Sequence, residues 1–356
     1  MQEQSQPNYS MASVITNDSA VSSLEFHKTG NYLVSGTRGS SIHLIDCMTG
    51  TERKKLFSRS SGVGQVKFTH HESCILTSSM QKTNDIRYMC MHDNVVIRVF
   101  KSQEQNRITS LAMNPVDDRF LSASSSMVHL WTLGIPTPIG RLQLPAYSEQ
   151  VSVAYDAAGA VFGVSCLDGN TRSRSIKLFD VRNFEQGPFL DLAPTPEKLA
   201  TALSTAAATN GAKDKDMMGS SSASAVPPYS QLLTQAQRTL ESTWTGFEFS
   251  TDGFHILVNT NESLILVDAF KEDVPPVVIP KKNDAGMTLG ACLSSDAKWV
   301  LSGTDENELA VYDKSTGALC NTLTGHVAPI GCIKCNPRYD MWASGCTNTA
   351  LWLRTP

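Results

Sequence analysis

Short runs of alternating apolar and polar residues recur along this chain, each broken by a turn and followed by further runs of the same kind. Seven segments open this way: near Val21 (VSSLEFHKTGNYLVSG), Val63 (VGQVKFTHHESCILTSS), Ile108 (ITSLAMNPVDDRFLSAS), Val151 (VSVAYDAAGAVFGVSC), Trp244 (WTGFEFSTDGFHILVNT), Leu289 (LGACLSSDAKWVLSGT) and Ile330 (IGCIKCNPRYDMWASG). Their starts are spaced by 42, 45, 43, 93, 45 and 41 residues. Alternation of period two reads as half-buried strand, and the Asn-Pro and Asp-Gly dipeptides between runs supply turns. A period of roughly 40–45 residues built from short strands predicts the blades of a β-propeller.

The third strand of each unit ends in an apolar triplet often closed by aspartate: IHLIDC to Asp46, IKLFDV to Asp180, LILVDA to Asp268 and LAVYDK to Asp313. Leu130-Trp131 and Leu351-Trp352 fill the same slot, and Gly325-His326 precedes the last unit. These match the WD-repeat pattern. The expected fold is therefore all-β, a seven-bladed WD-repeat β-propeller with one long disordered loop insertion. The last repeat runs out at Leu351-Trp352-Leu353 without an outer strand, and Ala12–Thr16 can supply it, which would remove an open sheet edge. The expected organisation is an N-terminal tail and closing strand at 1–19, blades one to four at 20–191, a low-complexity insertion at 192–241 and blades five to seven at 242–356. The insertion includes AAATNGAKDKDMMGSSSASAVPP, which offers no period-two apolar run and cannot build an eighth blade; it is expected to be largely disordered and dispensable for folding, with short helices at EKLATALSTAAA and SQLLTQAQRTLE.

Composition narrows the function. The chain has 356 residues, 30 Lys+Arg against 34 Asp+Glu, and a formal net charge of −4, so no polycationic arm points to nucleic acid. No apolar run approaches the 18 residues or so that span a bilayer, and no basic-then-apolar leader is read at the start. The nine cysteines are too sparse for a disulfide framework and are read as small buried hydrophobes; Cys332-Ile-Lys-Cys335 lacks the second pair a zinc site needs. His70-His71-Glu72 is read as a turn, because adjacent strand residues point to opposite faces. No nucleophile, base and orienting group come together in the pattern, so no catalytic, metal or cofactor site is assigned. His326, Asn348 and Trp352 are read as a buried hydrogen-bond set holding the last blade. The loops between second and third strands carry Arg38, Lys82, Arg172 and Arg174, while blade six offers Asp305, Glu306 and Glu308. Guanidinium groups bind phosphate oxygens two at a time, so this lopsided loop face is the candidate phosphopeptide surface.

Whole blades carry a more specific likeness. Gly62–His70 (GVGQVKFTH), Ile86–Asn94 (IRYMCMHDN) followed by Ile97-Arg98, and MNPVDDRFLSAS, IKLFDVRNFEQGPF, WTGFEFSTDG, LVDAFK and NPRYDMWASGCTNTALWL together resemble the WD-repeat subunit of the COMPASS (Set-type) histone methyltransferase complex, shared with the complex of PNUTS and protein phosphatase 1. The resemblance covers the propeller from about residue 20 onward, apart from the insertion. The chain departs from that pattern at Ser102–Arg107, where a Gly-His-like element is usual, and at Leu130-Trp131-Thr132-Leu133, where Leu-Trp-Asp is usual. The resemblance implies a non-catalytic nuclear adaptor, a monomeric propeller within a larger complex. Its partners would be proteins: a methyltransferase or phosphatase-scaffold subunit and the phosphorylated C-terminal domain of RNA polymerase II, with neither nucleic acid nor membrane bound directly. A general WD-repeat adaptor in RNA 3′-end processing or ubiquitin ligation is the alternative.

Overall fold

A computed structural model describes residues 8–58, 62–80, 85–102, 106–171, 173–213, 227–271 and 274–355, with side chains of 206–213 left undescribed. The described residues form seven four-stranded antiparallel sheets. Their inner strands are Val21–Phe26, Val63–Phe68, Ser110–Met113, Val153–Tyr155, Trp244–Phe249, Ala291–Leu293 and Cys332–Cys335, one from each of the seven repeats. The seven-bladed propeller expected from the repeat is the fold.

Turn chemistry explains why the repeat was readable. Asn114 and Asn336 each accept the backbone amides two and three residues ahead, at 2.8 and 3.2 Å and at 2.9 and 3.1 Å, closing the turn between inner and second strands. Each also donates Nδ2 across to the following blade, to Gly159 O at 2.9 Å and to Gly30 O at 2.8 Å. Those glycines have φ of 68° and 78°, and a Cβ on either would stand 2.4 Å from the asparagine oxygen. Glycine is required there twice over. The closing aspartates act likewise after the third strand. Asp46 Oδ1 accepts from Met48 and Thr49 amides, Asp268 from Phe270 and Lys271, and Asp313 from Ser315 and Thr316. Between blades the apolar faces merge; one cluster joins Leu24, Leu33 and Ile45 of blade one to Met341, Ala343 and Leu351 of blade seven.

The ring is closed by the N-terminal strand. Tyr9–Thr16 pairs antiparallel with Asn348–Arg354, from Tyr9 opposite Arg354 to Thr16 opposite Asn348. The strand starts three residues before the expected Ala12. A register shift between Met11 and Ser13 breaks the alternation there, which hides the first half of the strand from a period-two reading. Tyr9 stacks on Trp342 with ring centroids 3.5 Å apart.

The insertion lies between blades four and five, and helices form at the two segments where short helices were expected. Where the structure differs is that both helices pack into the core, against the expectation that the insertion is dispensable for folding. Pro196–Lys213 is a helix, α1, and Tyr229–Glu241 a second, α2. Residues 214–226 lie outside the described residues. Proline takes the first helical position of α1, with the preceding Thr195 accepting the Lys198 amide on its side-chain oxygen and the Leu199 amide on its carbonyl. Leu199, Ala202 and Leu203 recur at helical spacing and are buried with Leu232 and Ala236 of α2. The pair joins one hydrophobic cluster with Leu192 of blade four and Trp244 and Val278 of blade five. Two short apolar stripes sufficed; the surrounding Ala, Ser and Thr concealed them.

Candidate functional site

The inner strands of all seven blades surround a central channel with a cavity of about 800 Å³. Loops between second and third strands, and loops leading from one blade to the next, meet at one mouth of it. Arg38 and Met80 come from the first kind, and Arg107, Tyr147 and Glu149 from the second; all five line the cavity. Arg38 and Arg107 are exposed. Of the other sequence-predicted cations, Lys82 and Arg172 lie outside the described residues. Arg174 is half-buried at the start of blade four's third strand, opposite Leu167, and is not among the channel-lining residues. Arg107 was missed because it was considered only as a departure from the repeat.

The channel wall also holds charge that the sequence reading overlooked. Glu25, Lys67, Glu248 and Lys334 are each the penultimate residue of an inner strand. Lys67 pairs with Glu25 at 2.6 Å, and Lys334 with Glu248 at 2.7 Å. The second oxygen of Glu248 accepts the Leu293 amide at 2.6 Å, so one carboxylate ties blades five, six and seven together. Burial works against the Lys334 charge, yet Glu248 and Glu25 outweigh it and hold the amine above the ordinary lysine range. The available signal was a lone charged residue near the end of an otherwise apolar inner run. In a propeller that position faces the channel rather than open solvent.

His326, Ser344, Trp352 and Cys346 form a hydrogen-bonded chain at the same end of blade seven. Trp352 Nε1 can only donate, and it meets Ser344 Oγ at 2.7 Å; the same oxygen lies 2.6 Å from His326 Nε2. On its other side, His326 Nδ1 lies 3.0 Å from Cys346 Sγ. Asn348, expected to contribute its side chain, supplies its backbone amide to the same sulfur at 3.3 Å. Cys346 thus stands in the role given to Asn348. Burial alone would raise this thiol, but the bonds from His326 and the Asn348 amide bring it from 9.0 down to about 6. The reading of all nine cysteines as passive hydrophobes is incomplete here. Cys335 does not pair with Cys332; it lies 3.3 Å from Cys292 of blade six, and burial pushes it well up.

The Cys346 arrangement has a pH signature. Its folded value lies below the unfolded one, so the stability it contributes is fully present above about pH 9 and is lost as pH falls through about 6. Melting temperature measured from pH 9 to 6 is expected to fall for the parent protein, and less steeply for Cys346→Ser. Parallel curves would remove the thiolate.

A family model described as "WD domain, G-beta repeat" matches residues 10–46 and 94–132. WD repeat-containing protein 82 of Drosophila melanogaster is 31% identical over 342 residues, 95% of this chain and 92% of that protein. The chain belongs to the WD repeat-containing protein 82 family. Two fungal relatives extend the likeness. "Set1 complex component swd2" of Schizosaccharomyces pombe is 27% identical, covering 82% of this chain and 70% of its own length. "COMPASS component SWD2" of Saccharomyces cerevisiae is 25% identical, covering 91% and 88%. The WD repeat-containing protein 82 family is thus the one whose blade motifs the chain resembles.

Proposed function

We propose that this chain is a non-catalytic nuclear scaffold of a COMPASS-type histone methyltransferase complex. It would also serve a PNUTS–protein phosphatase 1 complex, joining either to transcribing RNA polymerase II through the phosphorylated C-terminal domain. Similarity over most of the chain to WD-repeat subunits named for Set1 and COMPASS complexes supports the scaffold role. The observation that carries the phosphopeptide contact is the pair of exposed guanidinium groups, Arg38 and Arg107, at one channel mouth. Lys82, Arg172 and Arg174 are proposed to extend that contact.

A charge-assisted hydrogen bond contributes about 1.5–3 kcal/mol, so each guanidinium lost from a phosphate is expected to weaken binding about tenfold or more. The double variant Arg38→Glu, Arg107→Glu should therefore lose most of its affinity for a serine-phosphorylated polymerase repeat peptide, measured by fluorescence anisotropy, with its melting temperature unchanged. Parent binding should also weaken with salt. Equal affinity of parent and double variant would place the phosphopeptide elsewhere.

A further inference from the structure

We propose that the outer strands of blades one to three form a docking strip for an extended protein segment that alternates aliphatic and acidic residues. These strands are Thr51–Phe57 (TERKKLF), Val95–Lys101 (VVIRVFK) and Ile135–Gln143 (IPTPIGRLQ). They carry six Lys and Arg against one acid, Glu52. The outer strands of the other four blades carry no Lys or Arg at all and one acid, Asp191. In a chain of net charge −4, the cations of the rim are gathered on one side of the ring.

The strip is continuous. Lys54 of blade one donates to the His92 carbonyl in blade two, and Arg98 of blade two donates to the Leu133 carbonyl in blade three. A carbonyl acceptor holds Arg98 in place without supplying a counter-charge, whereas Lys54 also feels the neighbouring Asp93 carboxylate. Arg53 differs, since Asp46 takes it at 2.7 Å. Aliphatic side chains lie within the same strip: Val95, Val96 and Ile97 are 52, 46 and 49% exposed, and Ile135 and Ile139 stand beside them at 48 and 45%. A bulge leaves Ile97 with no residue opposite it on the third strand.

The edges of the three strands differ in a way that selects the occupant. Proteins guard sheet edges with charge or proline. Blade one has its run of charges, and blade three has Pro136 and Pro138. Blade two has no proline, and its two cations, Arg98 and Lys101, follow the run Val95–Ile97, so the start of this outer strand presents its backbone edge beside branched aliphatics alone. A peptide strand can pair with such an edge, seat alternate side chains on the aliphatics and direct acids at the cations. Nucleic acid does not suit three consecutive aliphatics, because its interfaces are polar, and a bilayer offers no backbone to pair. The strip lies on the circumference, away from the channel mouth, so it stands or falls apart from the phosphopeptide contact.

The test uses the full chain and a labelled peptide of about twelve residues alternating glutamate with valine or leucine. Controls are the same peptide with serine for every aliphatic, a single-stranded oligonucleotide and phosphatidylserine vesicles. The alternating peptide is expected to bind at least about tenfold more tightly than any control. Val96→Ser with Ile97→Ser, and separately Lys101→Glu, should each weaken it by about tenfold, with melting unchanged because all three side chains are exposed. Failure of the alternating peptide to bind, equal binding of the oligonucleotide or vesicles, or indifference to both variants would overturn the proposal.

Discussion

Removing residues 1–16 is expected to abolish cooperative melting or lower the melting temperature by about 15 °C or more. The truncated ring loses the whole outer strand of blade seven, with Tyr9 and Ile15 from the core. Burial of two such side chains contributes about 2 kcal/mol each, the Tyr9–Trp342 stack about 1, and the ladder hydrogen bonds roughly 1 apiece. A loss above about 5 kcal/mol is a large part of the stability of an ordinary domain. The Asn348–Arg354 strand would also become an open edge. Circular dichroism melts provide the readout, and a synthetic peptide of residues 8–17 should restore part of the loss when added in trans. A melt indifferent to the truncation would mean that the ring does not depend on this strand.

Leu199→Ala and Leu232→Ala should each destabilise the propeller by about 2–4 kcal/mol, the usual effect of emptying a fully buried leucine site, while Gln235→Ala on the exposed side of α2 should do nothing. In melting temperature that is about 5–10 °C for each leucine. This reverses the expectation from composition that the insertion is dispensable. Cleavage by a protease at α1 or α2 before the blades unfold would instead mean that the helices are loosely attached.

The blades were legible because their signals are local and repeated. Asparagine, glycine and aspartate close turns by bonds to amides two or three residues away, so the same letters recur at the same offsets. Both helices of the insertion were legible, at EKLATALSTAAA and SQLLTQAQRTLE, but their packing was not, because a helix needs only three or four apolar residues to dock and these stand among Ala, Ser and Thr. The channel pairs of Lys67 and Lys334 were missed for a topological reason: their partners Glu25 and Glu248 lie 42 and 86 residues away on other blades, and only ring closure brings them together. Cys346 escaped because cysteine in a buried turn looks like any small hydrophobe, and only its neighbours His326 and the Asn348 amide favour its thiolate.

The closing strand also sets a timetable. Tyr9 must wait for Asp340, made 331 residues later. At about 5–20 residues per second of synthesis, the strand spends on the order of half a minute without its partner. Through that interval each completed blade presents a fresh edge to it, so the nascent chain has several chances to mispair before the right sheet exists. Slower elongation lengthens that exposure, and a binder that shelters residues 9–16 on the ribosome would raise the yield of closed rings without touching the stability of the finished one.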